Sequence, residues 1–198
     1  MKVLVLFAHP ALHKSYVNKV LIEEMNVIDG VTFHDLYELY PEFDIDVSHE
    51  QDLLSQHDCI VFHHPLFWYS TPALLKEWQD LVLQHDWAFG SKGNALKGKL
   101  FFNVVTVGGP RKAYQKGEFH NHSINELLSP LTQTAALCKM TALPPFVVHG
   151  THAIEDKEIQ QYKNQYFRLL ELLATKNVDV NKVTSYKYLN DYLKELEG

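Results

Sequence analysis

A chain that opens KVLVLFA at residues 2–8 places six apolar side chains in succession with no polar alternation. A strand with one wet face alternates apolar and polar residues. A run without alternation belongs in a sheet covered on both faces, as parallel sheets are. Comparable runs recur at 58–63 (DCIVFH), 100–107 (LFFNVVTV) and 145–149 (PFVVH), with a weaker one at 31–36 (VTFHDL). Between them the apolar residues fall at helical spacing. Ser15 is an N-cap with Asn18 at the third helical position, opening a helix over 15–25 that buries Val17, Val20, Leu21 and Met25. Ser48 with Gln51 resembles a capping box for a helix through Ser55. Pro72 stands at the start of a helix running to Gln84, with Leu74, Leu75, Trp78, Leu81 and Val82 on its apolar face.

Further on, 124–138 reads as a helix that Pro130 bends or interrupts in its first turn. Residues 155–175 form a long helix with Ile159, Tyr162, Tyr166, Leu169, Leu170 and Leu173 inward. Residues 185–197 form a short amphipathic helix carrying Tyr188, Leu189, Tyr192, Leu193 and Leu196. Five strands alternating with helices define an α/β doubly wound sheet. The 198 residues, 46% of them hydrophobic, suffice for one sizeable core.

Composition excludes several classes. No apolar run approaches the roughly eighteen residues that a membrane span needs. The basic-then-apolar N-terminus superficially resembles a secretory signal, but its apolar run is too short and no small-residue cleavage site follows. The formal charge is −6 and no Lys/Arg cluster stands out, which argues against nucleic acid as a partner. The two cysteines, Cys59 and Cys138, lie in apolar surroundings and read as buried thiols of a cytoplasmic protein.

In a doubly wound sheet ligands bind outside the carboxyl ends of the strands. Three loops of unusual composition leave that edge. The first, AHPALHKSYVN, leads into a helix whose N-terminal amides and dipole can hold a phosphate, with Ser15 and Asn18 adding side-chain donors and His9 nearby; Ser15 could equally serve only as a cap. Neither a G-x-G-x-x-G nor a G-x-x-x-x-G-K-[ST] pattern is present, which disfavours a Rossmann dinucleotide site and a P-loop. The second loop places Phe67, Trp68 and Tyr69 in a row, and three such rings need a cover: a flat heterocycle, a partner subunit, or the end of the core. The third has Thr106, Val107, Gly108 and Gly109, followed by Tyr114 and His120. Paired glycines admit a ligand close to backbone amides, and Tyr and His can donate or share a proton. His63-His64, His120-x-His122 and His149-x-x-His152 lack the Cys or carboxylate spacing of a metal centre, so no metal is expected.

These motifs, with FAHPALHKSYVN (7–18), LYELYPEFDID (36–46), HHPLFWYSTPALLKEWQD (63–80), WAFGSKGNALKGK (87–99), TVGGPRKAYQKGEFH (106–120) and LPPFVVHGT (143–151), resemble the NAD(P)H:quinone oxidoreductases of flavodoxin-like fold. Among them the sequence is most similar to the ancillary flavoproteins of glutathione-regulated potassium-efflux systems. The resemblance covers about residues 1–170. It implies a five-stranded parallel sheet in the order 2-1-3-4-5, a flavin-binding domain over 1–176 and a helical extension over 177–198. It implies FMN, with FAD as the alternative, and NAD(P)H as co-substrate. The flavin phosphate would lie on His9, Ser15, Tyr16, Val17 and Asn18, and the ring on Leu66, Phe67, Trp68 and Tyr69. The pyrimidine end would meet Thr106, Val107, Gly108 and Gly109; Val107 departs from a Thr frequent there. Tyr114 and His120 would be the catalytic pair. The implied activity is hydride transfer from NAD(P)H through flavin to a quinone or other small electrophilic acceptor, by ping-pong kinetics. A homodimer is expected from the aromatic loop and from the resemblance. The alternative is a regulatory subunit of a potassium-efflux transporter, held at the inner membrane through that partner.

Overall fold

The computed structural model describes residues 1–197. In chain order the elements are β1 (Val3–Phe7), α1 (Tyr16–Ile22), β2 (Val31–Asp35), α2 (Leu36–Leu39), α3 (Val47–Ser55), β3 (Cys59–Pro65), α4 (Ala73–Val82), β4 (Leu100–Thr106), α5 (Ile124–Leu127), α6 (Ser129–Leu137), β5 (Thr141–Ala142), β6 (Phe146–Val148), α7 (Asp156–Ala174), α8 (Val180–Val183) and α9 (Leu189–Glu197). The sheet is parallel throughout, in the order β2-β1-β3-β4, with β5 and β6 both lying along the outer side of β4. This is the flavodoxin-like order 2-1-3-4-5 with its last strand in two pieces. Pro144 and Pro145 separate the pieces, since proline cannot donate to a ladder. The sequence places a single strand at 145–149; the structure adds the Thr141–Ala142 segment and confines the second piece to 146–148.

The unbroken apolar runs produce the expected burial. Every residue of β1 and β3 is buried. Val3, Val5, Val61 and Val104 face a layer made by α1, α7 and α9, while Leu4, Leu6, Ile60 and Phe62 face α3 and α4. Cys59 and Cys138 are both buried free thiols.

Several boundaries differ from the sequence reading. The cap of α3 is Asp46, whose carboxylate accepts the His49 amide at 3.0 Å. Ser48 lies inside the helix and donates to Asp46 at 2.9 Å, and Gln51 reaches the Val82 carbonyl at 3.0 Å. A carboxylate two residues upstream therefore displaces the hydroxyl as cap. The 124–138 helix is two helices. The first has a Ser123–Glu126 capping box, and Pro130 stands in the opening turn of the second, where its missing amide costs nothing. The helix expected from residue 185 starts at Leu189, and Leu196 on it is half exposed.

One buried carboxylate ties the α3–α4 side of the sheet together. Glu50 is fully buried; its Oε1 meets His34 Nε2 at 2.7 Å and accepts the Tyr40 hydroxyl at 2.6 Å, and its Oε2 accepts Trp78 Nε1 at 2.8 Å. It thus joins β2, the turn after α2, α3 and α4. Burial pushes this carboxyl up, but hydrogen bonds from His34 and Tyr40, with the adjoining His34 and Trp78 contributions, bring it below its ordinary value. Removing one partner of such a buried cluster strands the others, so Glu50→Ala should lower unfolding stability by about 3–5 kcal/mol in denaturant titrations near neutral pH. With its pKa depressed by folding, Glu50 contributes fully above the ordinary carboxylate range and loses that contribution as the pH falls through its folded value. Glu50→Gln should flatten this part of the acid limb, and an unchanged acid limb would contradict the assignment.

Candidate functional site

The carboxyl ends of β1, β3 and β4 bring the three loops to one edge, at the point where strand order reverses between β1 and β3. The first and third loops are joined by side chains. Ser15 Oγ accepts the Asn18 amide at 3.3 Å and Asn18 Nδ2 at 2.9 Å. Asn18 Nδ2 also lies 3.2 Å from Thr106 Oγ1 at the end of β4. Asn18 and Thr106 are both buried. The first two amides of α1, those of Tyr16 and Val17, have no intrahelical acceptor and face out of the helix start.

The remaining first-loop residues take different roles. The Val17 side chain is in the core, and the Tyr16 ring is exposed beside Asp156, which pushes its phenol up. Both can therefore serve a ligand only through the backbone. His9 is buried and its Nδ1 accepts the Ala11 amide at 3.1 Å. Burial pushes its pKa down, which favours a neutral ring. His9 meets Phe67 edge-on at 5.9 Å, linking the first and second loops.

The second loop contains a tight reversal. Leu66 donates its amide to Thr106 at 2.9 Å, and Phe67 and Ser70 exchange amide–carbonyl bonds at 3.0 and 2.9 Å. Between them Trp68 (φ 48°) and Tyr69 (φ 63°) both adopt left-handed backbone. Two successive left-handed residues suit a primed hairpin turn, which normally selects Asn-Gly. Here bulky rings occupy both positions, at a cost of roughly 1–2 kcal/mol each. Trp68 is 92% exposed. Strain held at such a place is characteristic of ligand clamps and active sites.

In the third loop the glycines are packed by imidazoles. A Cβ on Gly108 would lie 2.2 Å from His152 Nε2, and one on Gly109 would lie 3.0 Å from His120 Nε2 and 3.2 Å from Tyr114 Cε2. No other residue fits at Gly108 without moving His152. Tyr114 and His120 stack at 4.1 Å with an 11° interplanar angle, and Tyr69 Oη lies 3.4 Å from His120 Nδ1. Burial pushes the Tyr114 phenol up, while the Gly109 amide beside it pulls the other way. A phenol is already a protonated donor at neutral pH, and the net rise extends that state to higher pH. Val107 is scaffold: its amide donates to Val148 at 2.9 Å and its carbonyl accepts the Thr151 amide at 3.1 Å. Gly108, Gly109, Lys112, Phe119, His120 and His152 line a cleft of about 490 Å³.

His152 was not legible as a site residue. The sequence marks it only as half of the His149-x-x-His152 pair, which reads as no metal site; the structure places it just past the last strand, where a fourth loop meets the third through the Gly150 amide on the Gly109 carbonyl at 2.9 Å. The paired histidines resolve differently. His63 and His64 are fully buried, and burial pushes them down to about 3 and about 4, so they are neutral core residues. Among the described residues, the side chains of metal-ligating type that gather within 4.8 Å are His34, His49 and Glu50, and that carboxylate is already committed to its three donors.

A doubly wound parallel sheet with a glycine-floored cleft at its carboxyl edge defines a flavodoxin-type protein. The chain belongs to the Flavodoxin_2 family, of flavodoxin-like fold, whose sequence model matches residues 1–170. The ancillary protein KefF of the glutathione-regulated potassium-efflux system of Enterobacter sp. (strain 638) is 43% identical over 176 residues, 88% of this chain and 99% of KefF. YdeQ of Bacillus subtilis (strain 168), named an uncharacterized NAD(P)H oxidoreductase, is 42% identical over 198 residues, 100% of this chain and 96% of YdeQ. Of solved structures, general stress protein 14 of Treponema denticola in complex with FMN superposes with a TM-score of 0.81 at 35% identity, covering 87% of this chain and 99% of that one. An NADPH-quinone reductase from P. pentosaceus gives 0.78 at 35% identity, covering 85% and 97%.

The strain in the aromatic turn yields a direct expectation. In the isolated subunit Trp68→Asn loses almost no packing and relieves a left-handed bulky residue, so at concentrations where the chain is monomeric it should raise unfolding stability by about 1 kcal/mol. In a chain of this size that corresponds to a rise in Tm of roughly 2–4 °C. A lower Tm would show that Trp68 is held by contacts rather than strained.

Proposed function

We propose that this protein is an FMN-dependent NAD(P)H:quinone oxidoreductase. The observation that carries this reading is the stacked Tyr114–His120 pair set over Gly109 at the switch-point edge, beside an exposed aromatic loop. The FMN-bound relative and the relatives named for NAD(P)H oxidation and quinone reduction support it. The structure fits the cofactor: the amides of Tyr16 and Val17 with Ser15 suit a phosphate, Phe67, Trp68 and Tyr69 suit a flat ring, and Gly108 and Gly109 admit the ring edge. Bound FMN would supply two-electron hydride acceptance and release at a single place, so reduced nucleotide and acceptor use the same cleft in turn.

The protein's own contribution is positional and electrostatic. Thr106, Gly108 and Gly109 form the floor against which the polar edge of the ring is set. Tyr114, a protonated phenol, donates toward the acceptor oxygen as charge develops there, and His120 stacked on it supplies a second donor. Hydride from NAD(P)H and one proton convert a quinone to a hydroquinone, and the proton is delivered at that oxygen. Phe119 lines the cleft, and would exclude water from it once the exposed aromatic face is covered. Residues 1–176 constitute the flavin-binding unit on this reading, with 177–198 as its helical extension, and the protein works in the cytoplasm. A second reading, as an ancillary subunit of a potassium-efflux transporter at the inner membrane, is favoured by the likeness to KefF; co-purification with such a transporter would test it. No helix among the described residues is long and apolar enough to cross a membrane.

Purified protein should release FMN on heating, identified by mass; FAD as the sole species would overturn the cofactor. Tyr114→Phe and His120→Ala should retain flavin and lose about 10²–10⁴-fold in quinone-dependent reoxidation measured by stopped flow. Wild-type rates in both half-reactions would make the pair structural, and loss of flavin would place it in the binding shell.

We further propose a two-fold homodimer formed over the aromatic face. Phe67, Trp68, Tyr69 and Phe119 are all exposed, and Tyr69 and Phe119 both pack against His120. A patch of this kind needs a cover. Light scattering should give twice the 22.9 kDa chain mass, and Trp68→Asp should shift the protein toward monomer with loss of turnover. A fully active monomer would exclude the dimer from the site.

A further inference from the structure

The third loop leaves β4 with one short 3-10 turn, Arg111–Ala113, as its regular structure before α5, and the chain's last segment holds it from behind. Arg111, directly after Gly108-Gly109-Pro110, makes a bidentate ion pair with Asp191 of α9, both contacts at 2.7 Å. The same guanidinium lies 4.7 Å over the ring of Tyr188. Tyr188 is buried and packs in one cluster with Val105, Val107, Ala113 and Tyr114. Its ring lies 5.7 Å from His149, which in turn lies 6.1 Å from Tyr114.

The segment is also anchored to the sheet. Asn190 is buried; its Oδ1 accepts the Val147 amide at 2.8 Å and its Nδ2 donates to the Val147 carbonyl at 3.2 Å. The Leu189 amide donates to Pro145 at 3.0 Å. Asn190 therefore completes the open edge of β6 as a neighbouring strand would. Residues 188–191 thus connect the sheet edge, through consecutive side chains, to the base of the loop that carries Tyr114.

We propose that the C-terminal segment is a working part of the active site, with Asp191 acting through Arg111, and Tyr188 by packing, as positioning residues for Tyr114 and His120. The inference rests on the oxidoreductase reading above. The family's sequence model ends at residue 170, so this support lies outside the part of the chain that defines the family. YdeQ matches the chain over its full 198 residues, tail included. The Arg111–Asp191 pair is half exposed, and such pairs add little global stability. A planar bidentate fork instead fixes orientation. Its removal should loosen the loop far more than it lowers Tm.

The test uses the full chain with Asp191→Ala, Asp191→Asn, Tyr188→Leu and the charge-swapped pair Arg111→Asp/Asp191→Arg, with 1,4-benzoquinone as acceptor. The Asp191 variants should keep their flavin stoichiometry and Tm; Tyr188→Leu should keep its flavin but lower Tm, because it empties part of a core cluster. Quinone-dependent reoxidation should fall about tenfold, the cost of a small misplacement of catalytic groups. KM for the quinone should rise, flavin reduction by NAD(P)H should change less, and amide hydrogen exchange over 111–122 should accelerate. The swapped pair should recover part of both. Wild-type kinetics in both Asp191 variants would overturn the proposal, as would faster exchange with unaltered kinetics, or loss of flavin alongside activity. A wild-type protein without quinone reduction would sink the oxidoreductase reading alone, and exchange over 111–122 would still decide whether the tail holds the loop.

Discussion

The site depends first on one buried amide. Asn18 sits in the opening turn of α1, yet its side chain bonds both Ser15 behind it and Thr106 at the end of β4. Burying an unpaired amide would cost a few kcal/mol, so the side chain is committed to these partners. That commitment fixes the distance between the helix start, where a phosphate is proposed, and the glycine floor of the cleft. Parallel strands bring their loops to one edge; Asn18 sets the first against the third. Leu66, donating to the Thr106 carbonyl, sets the second against the same point.

Around that fixed point the structure carries features that a stability-optimised chain would avoid. Trp68 and Tyr69 adopt backbone that suits Asn-Gly, and Gly108 gives up conformational rigidity so that His152 can lie against its Cα. Both departures lie in the loops at one edge of the sheet, while β1 follows burial and propensity without exception. Local rules broken together at one site are a signature of function supported by a well-determined scaffold. Glu50 belongs to that scaffold: its bonds to His34, Tyr40 and Trp78 brace the side of the sheet that the loops do not.

What the sequence disclosed follows the same division. The unbroken apolar runs gave the parallel sheet, because burial on both faces leaves no room for alternation. Loop composition gave the three loops, because Trp, paired Gly and Tyr/His are expensive or purposeless there without a ligand. Pairings over long separations left no trace. Nothing in local pattern distinguishes the His152 that covers Gly108 from the His149 that burial pushes down to about 4. Asp46 and Ser48 both suit an N-cap, and only the backbone path decides between them. Arg111 and Asp191 lie 80 residues apart and each reads as a solvated charge.

The last pairing bears on how an active site is built where regular structure stops. Tyr114 and His120 belong to a segment that runs from a short 3-10 turn, Arg111–Ala113, to the start of α5 at Ile124. Local bonds, such as the His120 amide on the Ala113 carbonyl at 3.0 Å, shape that segment internally but do not fix its place against the sheet. A stacked pair must nevertheless be held to a fraction of an ångström to assist transfer at an acceptor oxygen. Its placement must come from neighbours. The fourth loop supplies one side, through Gly150 on the Gly109 carbonyl, and the C-terminal segment supplies the other, through Asp191 on Arg111. Neither support touches the reacting groups, so substitutions there should alter the position of the pair while leaving its chemistry intact.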